Sequence, residues 1–278
     1  MAEASLSLHD LVRCDYSKKF VKRCADEFHW EDLSEHVVMD IGCGAELNCC
    51  KAILMQFPDV RALIAVDKEN TVFQQAHIRD RRIQFCVGDI QERDSLKSYE
   101  GKMDKIISTF TFQEIVDKET AFQNVYRLLK SGGEAGFYFC VKSCMYSVLT
   151  ELSKIPKFRA MLEDTYTENL YPMEHGEQYY KEMLERIGFK DVRSIEEEKR
   201  SLFPTDLEFK DSMYGGLQVN RKLSLEDVHA LKEKIFELYV KRFGKCEGKP
   251  FYNSIHINLL GVKPMESSHS ECKETTVA

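Results

Sequence analysis

The sequence predicts an α/β fold, in which a mostly parallel β-sheet with an antiparallel last strand is covered by helices. Two observations support this prediction. Short apolar runs alternate with helical segments between residues 37 and 141, and several of these runs end in an acid. Units of this length are joined by right-handed crossovers, which place helices on both faces of a parallel sheet. The predicted strands lie near 37–41, 62–67, 83–88, 104–109 and 135–141, and the helices near 46–57, 70–78, 91–99 and 119–130.

The end of the first strand is the most informative segment of the chain. Its apolar run ends at Asp40 and Ile41, and Gly42, Cys43 and Gly44 follow before a helical pattern begins. A tight glycine turn brings the bare backbone against a ligand at the carboxyl edge of a parallel sheet. The segment therefore predicts a ligand-binding loop.

Two further strands also end in an acid. The second strand ends at Asp67 and the third is followed by Asp89. Asp67 lies just over 20 residues after the glycines, where folds of this kind place the acid that binds a ribose diol. Three strand-ending acids in order are a more specific pattern than two glycines alone. A related domain that binds a different nucleotide is the alternative interpretation.

The remaining elements surround this core. A helix predicted over residues 8–30 either lies over the ligand site as a lid or only packs on the sheet. After residue 141 the pattern changes to helices near 143–155, 179–187 and 224–243 and strands near 190–203 and 251–262. Two apolar insertions near 142–175 and 204–243 are rich in Met, and they either form a substrate pocket or fill a core between helices. We therefore expect a lid at 1–30, a main domain at 31–264 that carries both insertions as a cap, and a disordered tail at 265–278.

Composition limits the classes of partner. The net charge of −7 over 278 residues argues against a nucleic-acid or anionic-membrane surface. The sequence has no apolar run of membrane-spanning length and no N-terminal signal-peptide pattern, so we expect a cytoplasmic protein. Its ten cysteines include no C-x-x-C pair, and we expect free thiols and no metal site. The sequence leaves the oligomeric state open.

These motifs together resemble those of the class I S-adenosylmethionine-dependent methyltransferases, which have a Rossmann-like sheet. The resemblance implies S-adenosyl-L-methionine as the cofactor. It places Asp40, Gly42, Cys43 and Gly44 around the amino-acid part of the cofactor. The other residues that we expect at the cofactor are Asp67 and Lys68 at the ribose, Asp89 and Ile90 at the adenine, and Ser108 at the end of the fourth strand. The segment Leu128–Gly133 is similar to the turn that precedes the fifth strand in this family.

Two longer segments resemble the juvenile hormone acid O-methyltransferases of arthropods. They are Thr120–Lys130 and Met183–Lys190, and Trp30 also lies shortly before the first strand, as in that family. The resemblance implies methyl transfer to the carboxylate of a small apolar acid such as farnesoic acid or juvenile hormone acid, giving a methyl ester. A carboxylate is already a nucleophile at neutral pH, so the enzyme would mainly align and desolvate it. Other small-molecule O- or N-methyltransferases, and a non-catalytic homologue, are the alternatives.

The sequence departs from this family at several positions. Gln113 and Glu114 replace the His-Trp pair that the family carries after its fourth strand. Gln113 is a candidate hydrogen-bond donor to the substrate or a helix-start residue, and Glu114 is a candidate base or a solvated acid. Arg13 lies near the position of the family's helical glutamine. Glu46 stands where the glycine loop normally has a small residue, so it could crowd the cofactor or point to solvent.

Overall fold

A computed structural model describes residues 8–75, 80–162, 175–217, 219 and 222–265 of the chain. The tail at 266–278 and part of the first insertion, 163–174, lie outside the described residues. The strands are β1 (Val37–Ile41), β2 (Ala62–Asp67), β3 (Ile83–Val87), β4 (Met103–Thr109), β5 (Leu129–Ser143), β6 (Lys190–Leu202) and β7 (Phe251–Val262). The helices are α1 (Leu8–Phe28), α2 (Asn48–Gln56), α3 (Asn70–Gln75), α4 (Arg93–Leu96), α5 (Lys118–Leu128), α6 (Cys144–Ser153), α7 (Pro156–Arg159), α8 (Glu177–Ile187), α9 (Asp206–Gly215) and α10 (Leu225–Phe243).

The seven strands form one sheet in the order β3-β2-β1-β4-β5-β7-β6. The pairs from β3 to β5 are parallel, whereas β7 is antiparallel to both β5 and β6. The predicted fold class is therefore confirmed. The chain builds β2 and β3 on one side of β1 and then returns to place β4 on the other side. Such a switch point opens a crevice at the carboxyl ends of the strands.

Some boundaries differ from the prediction for local reasons. β5 begins at Leu129, inside the predicted turn and six residues before the predicted strand, and its pairing with β4 steps from Leu129 to Glu134 around Gly132, whose φ is +79°. Helix α9 is absent from the sequence-based prediction, although Thr205 and Glu208 form a capping box at its start. The predicted end of α3 at 76–78 lies outside the described residues.

The central strands are apolar on both faces because each face is covered by helices. Val38 and Ile107 belong to a cluster with α1 and α2, and their neighbours Met39 and Ile106 belong to a cluster with α5 and α8. Neighbouring residues of a strand point to opposite faces, so a strand buried on both sides has no polar alternation. The side of the sheet that a residue faces therefore follows from its position in the strand.

The insertions form a third apolar cluster beside the sheet. It contains residues of α6, α7, α9 and α10, and the buried methionines Met145, Met161 and Met213 are part of it. These side chains pack on one another, so most of the apolar stripe is core, which was one of the two sequence-based interpretations. We refer to these four helices as the cap.

A buried polar network fixes the segment before β1 to the sheet. Glu134 of β5 accepts hydrogen bonds from the Trp30 indole and from the Lys105 ammonium, and the latter also lies 5.2 Å from the Trp30 ring centroid. The Lys105 side chain is only 9% exposed. The network is therefore stable only while the ammonium keeps its carboxylate partner.

We expect Glu134→Ala to lower the free energy of unfolding by about 3–5 kcal/mol, because it leaves the Lys105 charge buried and unpaired. Urea unfolding followed by circular dichroism measures this change. The matched control is Glu151→Ala, which breaks an exposed pair with Lys154 and should cost less than about 1 kcal/mol. Equal effects of the two variants would show that the network contributes no more than a surface pair.

Candidate functional site

The glycine loop after β1 is held against the end of β2. The backbone N–H groups of Gly42 and Cys43 both donate to the Val66 carbonyl, at 2.8 and 3.0 Å. Gly42 has φ +70°, and a Cβ placed there would lie 2.1 Å from Oγ1 of Thr111. No other residue fits this position, because a side chain would clash with the segment that follows β4 and strain the backbone.

Gly44 and Asp67 form the open part of the loop. The Gly44 N–H donates to Oδ2 of Asp67 at 3.1 Å, and the Glu69 N–H donates to Oδ1 at 3.0 Å. A Cβ placed on Gly44 would meet no atom within 4 Å, so the loop faces open space there. A carboxylate has about four acceptor positions, so Asp67 keeps acceptor capacity for a pair of ligand hydroxyls.

The third strand-ending acid lies beside the first two loops. The Gly88 N–H donates to the Asp67 carbonyl, which brings the end of β3 next to the end of β2. Asp89 accepts a hydrogen bond from the Gln91 N–H, and Ile90 is buried with its carbonyl bonded to the Asn124 amide. The structure thus places Asp67 and Asp89 at one edge of the sheet, as predicted, while the Ile90 side chain is part of the core.

Lys68 and Ser108 lie in different surroundings from each other. Lys68 is exposed next to Asp67. Ser108 is buried, and its hydroxyl donates to the Ile41 carbonyl at 2.8 Å, which ties β4 to the start of the glycine loop. Its contact with the backbone makes Ser108 a support for the loop.

Asp40 lies behind the glycine loop and not on its open side. The side chain is 1% exposed, and its Oδ2 accepts a hydrogen bond from the Cys50 thiol at 3.3 Å. Burial raises the pKa of Asp40 to about 7, and the bonds from Cys50 oppose the shift only in part. The loop therefore contains a carboxyl group that changes charge near neutral pH.

Glu46 turns away from the glycines. It precedes Leu47, which has φ +50°, and α2 starts only at Asn48, two residues later than predicted. Its carboxylate lies 3.5 Å from the Lys51 ammonium, and both side chains are half-exposed. This arrangement matches the sequence-based interpretation in which Glu46 points to solvent.

The segment after β4 forms the opposite wall of the crevice. Phe110 has φ +58°, which is unfavourable for a residue with a bulky side chain and is typical of functional sites. Gln113 is buried, and its side-chain oxygen accepts a hydrogen bond from the Cys140 N–H at 3.0 Å, where β5 has an irregularity. Gln113 thereby fixes the end of β5 beside the crevice.

Glu114 lies where the two walls meet. Solvent reaches its side chain, yet the surrounding protein raises the pKa of this carboxyl by desolvation. Arg13 and Lys68 oppose the shift, and the Asp67 charge adds to it. Glu114 is thus close to Asp67 at the end of β2 and to Arg13 of α1. These residues are far apart in the chain, so the sequence alone did not indicate that they are neighbours.

Arg13 and an aromatic cluster complete this wall. The Arg13 guanidinium carbon lies 5.5 Å from the Phe110 ring centroid. Phe110 in turn packs against Tyr138 and His256, with centroids 5.3 and 5.8 Å away, and Tyr16 of α1 covers them. No local sequence pattern indicates a role for Tyr138 or His256, because they come from strands far apart in the chain.

The buried Asp40 gives a testable pH dependence of stability. Because its pKa is higher in the folded than in the unfolded protein, the folded state binds more protons between about pH 4 and pH 7. The free energy of unfolding should therefore fall as pH rises through this window, by up to about 4 kcal/mol. Asp40→Asn should lack this fall, as measured by urea unfolding at a series of pH values.

Asp32→Asn is the control for this experiment. Asp32 is exposed, and bonds from the Ser34 N–H and hydroxyl lower its pKa, so its contribution is lost as pH falls. The control should retain the fall in stability between pH 4 and pH 7. If the wild-type protein and Asp40→Asn show the same dependence of the free energy of unfolding on pH, ionisation of Asp40 does not destabilise the folded protein.

Solved structures with the same fold are methyltransferases or proteins related to them. The YcgJ protein of Bacillus subtilis superimposes with a TM-score of 0.59 at 15% identity, covering 90% of this chain and 99% of that one. Phosphoethanolamine N-methyltransferase 2 of Haemonchus contortus, solved with S-adenosyl-L-methionine, gives 0.54 at 16% identity, covering 90% and 53%. At such identities these structures show the fold alone.

Sequence comparison gives closer relatives. The chain is 26% identical to the juvenile hormone acid O-methyltransferase of Bombyx mori over 192 residues, which is 68% of this chain and 66% of the relative. It is 27% identical to malonyl-[acyl-carrier protein] O-methyltransferase 1 of Ilyobacter polytropus over 144 residues, or 49% and 52% of the two chains. The matches thus span between half and two thirds of these relatives.

The family comparison covers the glycine loop, the acids of the crevice and the strands that hold them. A model of the methyltransferase domain matches residues 32–188, which is more than half of the chain. The chain therefore belongs to the methyltransferase domain family.

Proposed function

We propose that this methyltransferase transfers the methyl group of S-adenosyl-L-methionine to the carboxylate of a small apolar acid, giving a methyl ester. The observation that carries the proposal is the position of Arg13. Its guanidinium lies over the Phe110 ring at the end of β4, and within the described residues no carboxylate lies within 4 Å of it. A guanidinium binds a carboxylate through two parallel hydrogen bonds, which makes arginine suited to an acid substrate.

The residues at the crevice fit the cofactor. Asp67 has acceptor capacity for ribose hydroxyls, and Gly44 faces open space where a ligand can approach the backbone. We assign Asp40, Gly42, Cys43, Gly44, Asp67, Lys68, Asp89, Ile90 and Ser108 to the cofactor site. When bound, the cofactor supplies a positively charged sulfonium whose methyl group is open to attack.

The protein's own residues then align and desolvate the acceptor. Arg13 would hold the carboxylate, and the apolar rings of Tyr16 and Phe110 would remove water from it. The Gln113 side-chain oxygen accepts a hydrogen bond from the Cys140 N–H. Gln113 would therefore bind the acceptor by donating from its amide N–H groups. A carboxylate acceptor has no proton to remove, so the reaction needs no strong base. The lowered pKa of His256, about 4, makes this residue a weak base, which is consistent with that requirement.

The relatives support this choice of chemistry. The silkworm and Ilyobacter proteins are both named as O-methyltransferases, and the silkworm name specifies an acid. The cap is an apolar cluster beside the sheet, and its helix α9 contacts α1, which carries Arg13. A long apolar acceptor such as an isoprenoid or fatty acid suits this combination of a cation and apolar surface.

A second candidate function rests on Glu114. Its raised pKa makes it a better base than an ordinary glutamate, and it lies near both Asp67 and Arg13. An enzyme that methylates a hydroxyl or an amine needs a group of this kind to take the proton. Acid substrates and amine or hydroxyl substrates therefore make opposite demands on Glu114.

Asp67→Asn should weaken binding of S-adenosyl-L-methionine, because an amide has one acceptor oxygen in place of two. We expect a loss of about 1–3 kcal/mol, measured by calorimetry. The control Glu46→Gln removes a charge of the same sign beside the same loop and should change affinity less than about threefold, since Lys51 already holds that carboxylate. If the wild-type protein binds neither the cofactor nor S-adenosylhomocysteine at millimolar concentration, it is a non-catalytic homologue.

Arg13→Gln should lower kcat/KM for acid acceptors by about 10- to 100-fold, the effect of losing hydrogen bonds to a charged group. Cofactor affinity should not change. Lys22→Gln is the control, because Lys22 is an exposed cation of the same helix and forms an ion pair with Asp26. Turnover is measured with farnesoic acid and decanoic acid as acceptors.

Glu114→Gln separates the two candidate functions. Removing this acid should increase turnover of acid acceptors, because it removes a negative charge close to Arg13. If Glu114 is a base, the same variant should lose turnover of amines or phenols. Loss of activity with acids as well would contradict the carboxylate proposal.

A further inference from the structure

A group of buried polar atoms lies under α1, away from the glycine loop. The Tyr138 hydroxyl, Nδ1 of His256 and Nη1 of Arg23 are buried, and no hydrogen-bond partner for them lies in the part of the chain that the structure describes. Tyr138 is 3% exposed and His256 is 6% exposed. We call these three side chains the polar pocket.

The pocket is formed by three neighbouring strands and one helix. Tyr138 lies on β5 and His256 on β7, which pair in register, and their ring centroids are 5.0 Å apart. Directly opposite His256 on β6 lies Glu197, which forms an ion pair with Arg23 of α1 at 2.7 Å. The three polar atoms therefore face the space between α1 and the antiparallel edge of the sheet.

The pocket is contiguous with the proposed acceptor site. Phe110 lies between them, with Arg13 at 5.5 Å from its centroid and Tyr138 and His256 at 5.3 and 5.8 Å. Tyr16, which is half-exposed, covers the pair from α1. A ligand that is held by Arg13 and extends past Phe110 would reach the pocket.

Unpaired buried polar atoms are costly. Each donor or acceptor without a partner costs about 1–3 kcal/mol, so such atoms are rare in folded proteins unless water or a ligand binds them. The occurrence of three such atoms beside the proposed acceptor site is the observation from which we infer that they bind polar atoms of a ligand.

The charges around the pocket favour an uncharged oxygen. Burial, together with the Lys199 charge, lowers the pKa of His256 to about 4, although Glu197 opposes this, so the imidazole is neutral at physiological pH. Burial also raises the pKa of the Tyr138 phenol, which stays protonated. Glu197 forms ion pairs with both Arg23 and Lys199, at 2.7 and 2.6 Å. Both cations therefore already have an anionic partner, and the Glu197 carboxylate would repel a second anion.

We propose that Tyr138 and His256, with Arg23 beside them, bind a hydroxyl or carbonyl oxygen on the acceptor, so that the preferred acid carries a second, uncharged oxygen in addition to its carboxylate. Phenol, imidazole and guanidinium all offer donors, and the first two can also accept. The inference rests on the proposed function, because it takes the acid held by Arg13 as the ligand. It adds the residues that select among acids.

The test uses decanoic acid and its 2-, 3-, 6- and 10-hydroxy derivatives as probes. Binding of each acid is measured by calorimetry in the presence of S-adenosylhomocysteine, and methyl ester formation is measured separately with S-adenosyl-L-methionine. For the wild-type protein we expect one hydroxy acid to bind about tenfold or more tightly than decanoic acid, since a site built for hydrogen bonds rejects an analogue that lacks them.

Tyr138→Phe should reduce the preference for the hydroxy acid over decanoic acid by about tenfold, mainly through a higher KM for the hydroxy acid. Because the removed hydroxyl is unpaired in the folded protein, Tm should stay unchanged or rise, whereas a structural role would lower it. The control is Tyr180→Phe, which removes a hydroxyl from another buried tyrosine in the cluster on the other face of the sheet. It should leave the preference intact.

The outcomes separate the two proposals. The proposed role of the polar pocket is wrong if all five acids bind equally, or if Tyr138→Phe weakens the binding of all five alike. Ester formation in that case would leave the proposed function intact. A hydroxyl preference in binding without any ester product supports the pocket and overturns the proposed carboxyl methylation. If none of the acids binds, both proposals are wrong.

Discussion

The contact between Gly42 and Thr111 is the constraint on which the rest of the site depends. It allows the loop after β1 and the segment after β4 to approach each other where the strand order reverses. Hydrogen bonds from the Thr111 hydroxyl to the Ile41 and Gly42 carbonyls, and from Ser108 to Ile41, hold the two segments together. The loop after β1 and the segment after β4 are thus joined directly to each other.

The charged residues at this edge form two groups: Asp67 and Asp40 beside the glycine loop, and Arg13 and Glu114 on the opposite wall. Asp67 accepts backbone N–H bonds and presents its remaining capacity to the open side of the loop, whereas Asp40 is buried behind the loop with a thiol as its partner. On the other wall, Arg13 lies over an aromatic ring and close to Glu114. The proposed anionic acceptor would therefore meet attraction from Arg13 and repulsion from Glu114.

The cap explains why so much apolar sequence follows the parallel strands. Its helices bury methionines and aromatic rings against one another, so their main role is to build a second core beside the sheet. That core supports α9, which contacts α1, and α1 carries the residues nearest to the crevice. Among the helices that the structure describes, none is long and apolar enough to cross a membrane.

The sequence by itself determined the parallel sheet, the glycine loop and the three strand-ending acids, because these depend on local alternation and on conformations that glycine adopts more readily than other residues. It also placed Asp67 and Asp89 at one edge, since parallel strands end on the same side. Only the tertiary structure decided that Asp40 is buried, that Glu46 turns to Lys51, and that Gln113 bonds to β5. The pairing of Tyr138 with His256 under α1 likewise depends on β7 inserting between β5 and β6. Contacts between residues so distant in the chain arise from packing, and no local pattern encodes them.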